Sequence, residues 1–254
     1  MSDYSDGAAW AAGPGQVYAL LAEAAVGLLP EDLSGVLGLD AGAGTGAATR
    51  ALRRRGARML STDRSLAMLA AGPVPAFVSD IRRLPLADGS VDLAVATLVL
   101  SHLADPHAGL AQLRRVTRPG GTVLATAFVA GASHPVKHAI DRVLDRYGYQ
   151  APDWYAELKA LGEPRTGDAA ALAELASTAG LVDVRVDELA VDLASLDAGV
   201  LASWRLGMAQ VAPYLAGLEP DVRDRLTAEA TDAVRGCRPA DPLPLLVLRA
   251  SPRG

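Results

Sequence analysis

The sequence predicts an α/β fold: a doubly wound sheet of seven strands, mostly parallel, with a partly helical lid. Three observations carry this. Strand-like and helix-like segments alternate along the chain, the pattern that crossover connections between parallel strands produce. The first five strand segments are apolar on both faces, as a sheet buried between two helix layers demands. And 254 residues, 50% of them hydrophobic, suit one large domain, because single cores stop growing near roughly 250–300 residues.

The elements follow in order. Residues 16–29 read as an amphipathic helix closed by Pro30, the main part of an N-terminal helical cap over 1–35. A core over 36–128 begins with a short apolar strand at 36–40, a glycine loop and a helix to about Arg55. Strands at about 57–62, 75–79 and 91–97 come next, with helices near 65–71 and 106–116. Pro119-Gly120-Gly121 is a tight turn that introduces the strand TVLATAF. After Phe128 the rhythm changes, and 134–160 reads as a helical insertion. Asp168 caps a helix that ends at Gly180, a C′ glycine, and a strand follows at about 182–192. Helices near 197–216 and 220–235 form the second lid segment, 197–235, and Leu243 to Ala250 is a closing strand. No internal repeat is visible.

Composition excludes several functions. Lys+Arg 24 against Asp+Glu 29 gives a net charge of −5 with no basic run, a poor endowment for gripping nucleic acid through its phosphates. One cysteine, Cys237, cannot form an internal disulfide or a thiolate metal cluster, and no metal site is expected. The start, MSDYSDGAAW, lacks the positive charge of a secretory signal. The longest apolar stretch, Leu93 to Leu100, falls far short of the roughly 18 residues of a spanning helix. A cytoplasmic protein with no membrane partner is the expectation, its oligomeric state open. Lys137 and Lys159 are the only lysines, the other basic residues being Arg, a bias that points to a high-GC coding sequence.

The sharpest segment is Asp40-Ala41-Gly42-Ala43-Gly44-Thr45-Gly46, where a strand ending in a carboxylate runs through three alternate glycines into a helix. Missing Cβ atoms let the backbone approach a ligand, and helix N-terminal amides face whatever sits there. The loop also satisfies the dinucleotide pattern through Gly42, Gly44 and Ala47, and a plain tight turn is a third reading. Asp40 weighs against a pyrophosphate in the loop and in favour of an ammonium or sulfonium ligand. Asp63 closes the second strand 23 residues after Asp40, where a ribose-binding carboxylate belongs in this kind of fold. Capping the next helix is its structural alternative, and the two roles can coexist.

With these residues the chain resembles the class I S-adenosylmethionine-dependent methyltransferases, Rossmann-like enzymes, in particular their small-molecule branch. The resemblance rests on LDAGAGTG at 39–46, STDRSLAML at 61–69, FVSDIRRLPLADGSVDLAVATLVLSHLADP at 77–106 and LRRVTRPGGTVLATAF at 113–128. It implies that Asp40, Gly42, Ala43 and Gly44 line the methionine end of the cofactor and that Asp63 holds both ribose hydroxyls. Arg64 and Ile81 would flank adenine, with Asp80 near its exocyclic amine, and Thr97 would meet the methionine moiety. Asp92 and the Arg118-Pro119-Gly120-Gly121 turn read as structural.

Thr97-Leu98-Val99-Leu100 lacks the Asn/Asp-Pro-Pro-aromatic stretch of enzymes that methylate amino groups of nucleic-acid bases or protein glutamine, so those substrates are disfavoured. Ser101 stands where one member of a His pair common in this branch belongs, leaving His102. His102 lies just past the fourth strand, on the carboxyl edge where ligands bind, and is the first candidate for a general base; His134 is the second. Trp154, Tyr155, Trp204 and Met208 lie in the extra helices and are either core or the walls of an acceptor pocket, the latter supported by the scarcity of aromatics elsewhere.

The implied function is transfer of a methyl from S-adenosylmethionine to an O, N or C atom of a small, rather apolar metabolite, such as one of bacterial natural-product biosynthesis. The alternative is a non-methylating protein of the same fold that binds the cofactor as a sensor or as a scaffold for a cyclisation. A nicotinamide dehydrogenase is disfavoured, because the LPLADGSVDLAV segment and the Pro-Gly-Gly turn have no role there.

Overall fold

The computed structural model describes residues 7–132, 134–237 and 242–253. Two N-terminal helices, α1 (Gly7–Ala12) and α2 (Pro14–Val26), precede the alternating core. The core runs β1 (Leu37–Ala41), α3 (Ala47–Arg54), β2 (Arg58–Asp63), α4 (Leu66–Ala70), β3 (Ala76–Val78), β4 (Val91–Thr97), α5 (Pro106–Val116) and β5 (Thr117–Phe128). Then come α6 (Pro135–Arg146), α7 (Asp153–Thr166), α8 (Ala169–Thr178), β6 (Leu181–Val191), α9 (Ala198–Leu206), α10 (Ala212–Ala216), α11 (Pro220–Arg235) and β7 (Leu243–Pro252). Residues 1–6 of the expected cap lie outside the described residues.

The strand order is β3-β2-β1-β4-β5-β7-β6. β1 to β5 pair in parallel, and β7 runs antiparallel between β5 and β6. The winding direction reverses between β1 and β4, and in such sheets ligands bind in the crevice outside the carboxyl ends of the strands at that point. At the opposite, amino-end edge Asp92 ties β4 to β1: its carboxylate accepts from the Leu37 amide at 2.7 Å and pairs with Arg118. The expected Pro119-Gly120-Gly121 turn is instead an irregular first part of β5, where the register with β4 shifts, and Gly121 packs so closely on the Asp92 carbonyl that a Cβ would sit 2.5 Å from it.

Two apolar layers cover the sheet. Leu110, Leu113 and Val116 of α5 and Leu172 and Ala176 of α8 fill one face. The other is covered by α2, α3, α6, α9 and α11, through side chains such as Leu21, Leu52, Ile140, Trp204 and Leu226. This packing corrects the expected lid. The segment 197–235 does not fold over the carboxyl edge, because α9 and α11 bury their apolar stripes against α6 and α2 on the face of the sheet. Within 134–160, α6 belongs to the same layer, so only α7 is left to cover the edge. Trp204 is 1% exposed and is a core residue. Trp204→Ala is therefore expected to destabilise the fold by about 3–5 kcal/mol, the usual cost of emptying a buried aromatic site, with the loss read directly in urea unfolding.

Candidate active site

A cavity of about 970 Å³ opens at the carboxyl ends of β2, β1 and β4. Gly42, Ala43 and Gly44 line its floor, Asp63, Arg64, Asp80 and Ile81 one side, and Thr97 and His102 another. A smaller dent of about 440 Å³ beside Glu31 and Arg55 lies ahead of β1 and β2, on the opposite edge, and holds none of the motif residues.

The glycine loop is shaped from behind. Gly42 has φ +77°, and a Cβ there would meet the Val99 side chain at 2.4 Å, so both conformation and space demand glycine. Its amide and that of Ala43 donate to the Thr62 carbonyl, at 2.7 and 2.9 Å. Asp40 does not line the cavity. It is fully buried beneath the loop, and one carboxylate oxygen accepts from the Thr49 amide at 2.9 Å and from the Thr49 hydroxyl at 2.7 Å. A carboxylate at the first turn of α3 satisfies a helix-end amide and opposes the helix dipole. Burial pushes its pKa up to about 6, against the hydrogen bonds from Thr49. The expectation of direct contact with the methionine end is corrected on this geometry: Asp40 builds the loop that faces the ligand.

Asp63 ends β2 on the cavity wall. Its two oxygens accept from the Gly44 amide and the Ser65 amide, each at 2.9 Å, tying the glycine loop to the start of α4. A carboxylate offers about four lone-pair directions, so two remain for the hydroxyls of a ribose. Asp80 is forked onto Arg82, with its nearest contact at 2.6 Å, and those hydrogen bonds hold its carboxyl below the usual carboxylate range. It also caps the 3-10 turn Ile81–Arg83, which brings Ile81 to the cavity. Leu98, one residue past β4, adopts φ +57°, held there by bonds from its amide to the carbonyl and hydroxyl of Thr126. A left-handed Leu is a strained conformation of the kind that collects at ligand sites.

His102 ends the 3-10 turn Leu100–His102 and presents surface to the cavity. Its side chain is exposed at the cavity mouth, yet the protein packed around it, and then the positive charge of Arg64, hold its pKa below the ordinary histidine value. The ring is therefore neutral at pH 7, the state a proton acceptor needs.

The far wall comes from two places. From α7, Trp154, Leu158 and Leu161 face inward, and Gly162 lets this helix lie directly on the Ser101 backbone, where a Cβ would meet its carbonyl oxygen at 2.4 Å. From the N-terminal helices come Trp10, Tyr18 and Leu21. Tyr155 packs edge-on against Trp154 and is not part of the lining. Met208 packs against the core around α9. His134 is fully buried with its ring edge-on to Trp204, centroids 6.1 Å apart, away from the cavity. So His134, Tyr155, Trp204 and Met208 do not converge with His102. Trp10, Tyr18 and Leu21 went unread, since an amphipathic helix ahead of β1 has no local signal for which edge of the sheet it will meet.

A seven-stranded sheet in this order, a glycine loop after β1, and a carboxylate at the end of β2 together define an α/β enzyme that binds a nucleoside. The cavity stands at the top of the roughly 300–1,000 Å³ range of single-ligand pockets, room for a cofactor and a second molecule. Residues 39–125 match the family described as a methyltransferase domain. A demethylmenaquinone methyltransferase of Mycolicibacterium vanbaalenii is 35% identical over 178 residues, 65% of this chain and 76% of that protein. A malonyl-[acyl-carrier protein] O-methyltransferase of Serratia marcescens is 36% identical over 110 residues, 41% of this chain and 43% of that one. Among solved structures, a phosphoethanolamine N-methyltransferase of Haemonchus contortus in complex with phosphomonomethylethanolamine and S-adenosylhomocysteine superposes with a TM-score of 0.60 at 18% identity. That match covers 96% of this chain and 56% of the longer one, and it speaks for the fold alone. The chain belongs to the class I S-adenosylmethionine-dependent methyltransferases. It is an enzyme of the small-molecule kind, and S-adenosylmethionine is its cofactor. The free lone pairs of Asp63 and the glycine cradle fit that group. No helix among the described residues is long and apolar enough to cross a membrane.

Proposed function

We propose that the chain methylates a small, largely apolar molecule, aromatic in its reacting part, held between α2 and α7. One observation carries this: once Asp63, Asp80, Ile81 and the glycine loop are given to the cofactor, the remaining wall has an apolar stretch of Trp10, Tyr18, Leu21, Trp154, Leu158 and Leu161, with Ser101, His102 and Glu157 as polar groups beside it. Such walls reward a flat apolar body, which stacks on aromatic faces and gains from leaving water. The relatives named as demethylmenaquinone methyltransferases support an acceptor of this kind.

S-adenosylmethionine, when bound, supplies an activated methyl on a sulfonium. The chain's part is to fix that end on the backbone of Gly42 to Gly44, hold the ribose on Asp63 and flank the adenine with Ile81 and Arg64. Alignment of acceptor and methyl is worth up to roughly 7–11 kcal/mol, and α7 excludes water from the reacting pair. His102, neutral at pH 7, takes the proton from an acceptor hydroxyl or acidic carbon. The acidic balance argues against nucleic acid as substrate, and a cytoplasmic setting with a role in secondary metabolism completes the reading.

The test is incubation with isotope-labelled S-adenosylmethionine and a panel of reduced quinones, phenols and aliphatic amines, followed by mass analysis. Label in the aromatic acceptors supports the proposal; label only in the amines contradicts it. In the same assay Trp154→Ala is expected to raise the acceptor KM by roughly tenfold with kcat little changed, because it removes binding shared by ground and transition states.

A further inference from the structure

Beyond the cavity, past the carboxyl end of β5, stands a lysine that makes no salt bridge among the described residues. Lys137, one of only two lysines, is in the first turn of α6 and half-buried. Its ammonium lies 5.3 Å from the centroid of the Phe128 ring and 5.4 Å from that of Trp204. Both distances are within cation–π range. Among the described residues no carboxylate comes within salt-bridge distance of it. The nearby acids are already matched: Asp141 of α6 accepts from Arg205 of α9 at 2.7 Å, and Glu163 of α7 pairs with Lys159 at 3.1 Å.

Three influences work against this cation. Burial lowers the Lys137 pKa most, and the charges of Arg205 and Lys159 lower it further; Asp141 and Glu163 offset this in part, and the result is about 8. The first turn of α6 is the end of a helix where a positive charge is least welcome. A half-buried cation with ring faces but no paired carboxylate beside it gains from an anion that approaches its open side.

The position is informative. Phe128 follows Thr126 by two residues, on the same face of β5, and Thr126 lines the cavity. The helix that brings Lys159 and Glu163 toward Lys137 is the one whose Trp154, Leu158 and Leu161 wall the acceptor space. From this placement we propose that Lys137 is a specificity residue that binds a terminal anion, carboxylate or phosphate, on the far end of the apolar acceptor. The anion completes the charge balance of the Lys137, Arg205 and Asp141 group, and the rings of Phe128 and Trp204 hold the ammonium in place for it. The inference rests on the acceptor lying between α2 and α7.

Three probes that share one tail test it on the full chain saturated with S-adenosylhomocysteine: octanol, octanoate and octyl phosphate, titrated by calorimetry at pH 7. At least one anionic probe is expected to bind about tenfold or more tighter than octanol, the worth of about one charge-assisted hydrogen bond. Whichever anion shows the advantage identifies the group. Lys137→Met should bring both anions down to the affinity of octanol, with octanol unchanged, and Lys137→Arg should keep the advantage. The proposal is overturned if the three probes bind alike, if Lys137→Met leaves the ratio as it was, or if none of them binds. Either outcome, octanol binding with no anion advantage or failure of all three probes, sinks Lys137 alone; the aromatic acceptor site stands or falls on the labelled-methyl assay.

Discussion

Asp63→Ala is expected to weaken S-adenosylhomocysteine binding by roughly tenfold to a hundredfold, the range set by the loss of one charge-assisted hydrogen bond. The carboxylate ends β2 on the cavity wall and fastens the Gly44 and Ser65 amides, so its removal takes away the ribose acceptor and loosens the loop that faces the methionine end. Calorimetry measures the loss. An Asp63→Asn variant separates the two effects, because its amide oxygen still accepts one backbone amide while the charge is gone; binding intermediate between wild type and Asp63→Ala is expected. Wild-type affinity in both variants would remove Asp63 from the cofactor site.

His102→Ala is expected to lower kcat by roughly 10²-fold or more while S-adenosylhomocysteine affinity stays within a factor of a few. Its pH dependence has a definite sign. Crowding and Arg64 depress the folded-state pKa below about 6.5, the ordinary value, so the base is available at neutral pH and is lost as pH falls through that lower pKa. The wild-type rate should fall on the acid side with a midpoint below about 6.5. The variant should lack that limb, and added imidazole should restore part of the rate. If the variant keeps the acid limb, another group is the base.

The cofactor half of the molecule was legible because its signals are local. A glycine at φ +77° against Val99, or a carboxylate closing a buried strand, leaves its mark within a few residues, and the five parallel strands showed as apolar runs bounded by turns. The acceptor half was not, because it is made by tertiary packing. Trp204 and Trp154 look alike in sequence, each an aromatic in an extra helix. Yet one is swallowed by the layer of α2, α6, α9 and α11, and the other faces the cavity. What decides between them is that α9 has a broad apolar stripe to bury, whereas Gly162 allows α7 to lie flat on Ser101 at the edge of the sheet. The role of Asp40 was misread for a related reason. Loop residues that touch the ligand and those that shape the loop from behind alternate in one short motif, and only the bond to Thr49 tells which is which.

The most direct test of the account is a crystal structure with S-adenosylhomocysteine. It predicts the ribose on Asp63, the amino-acid end over Gly42 to Gly44, and the sulfur facing the space between Tyr18, Trp154 and Leu158 with His102 at its side. A nucleoside bound elsewhere would contradict it, as would a sulfur turned away from that space toward open solvent.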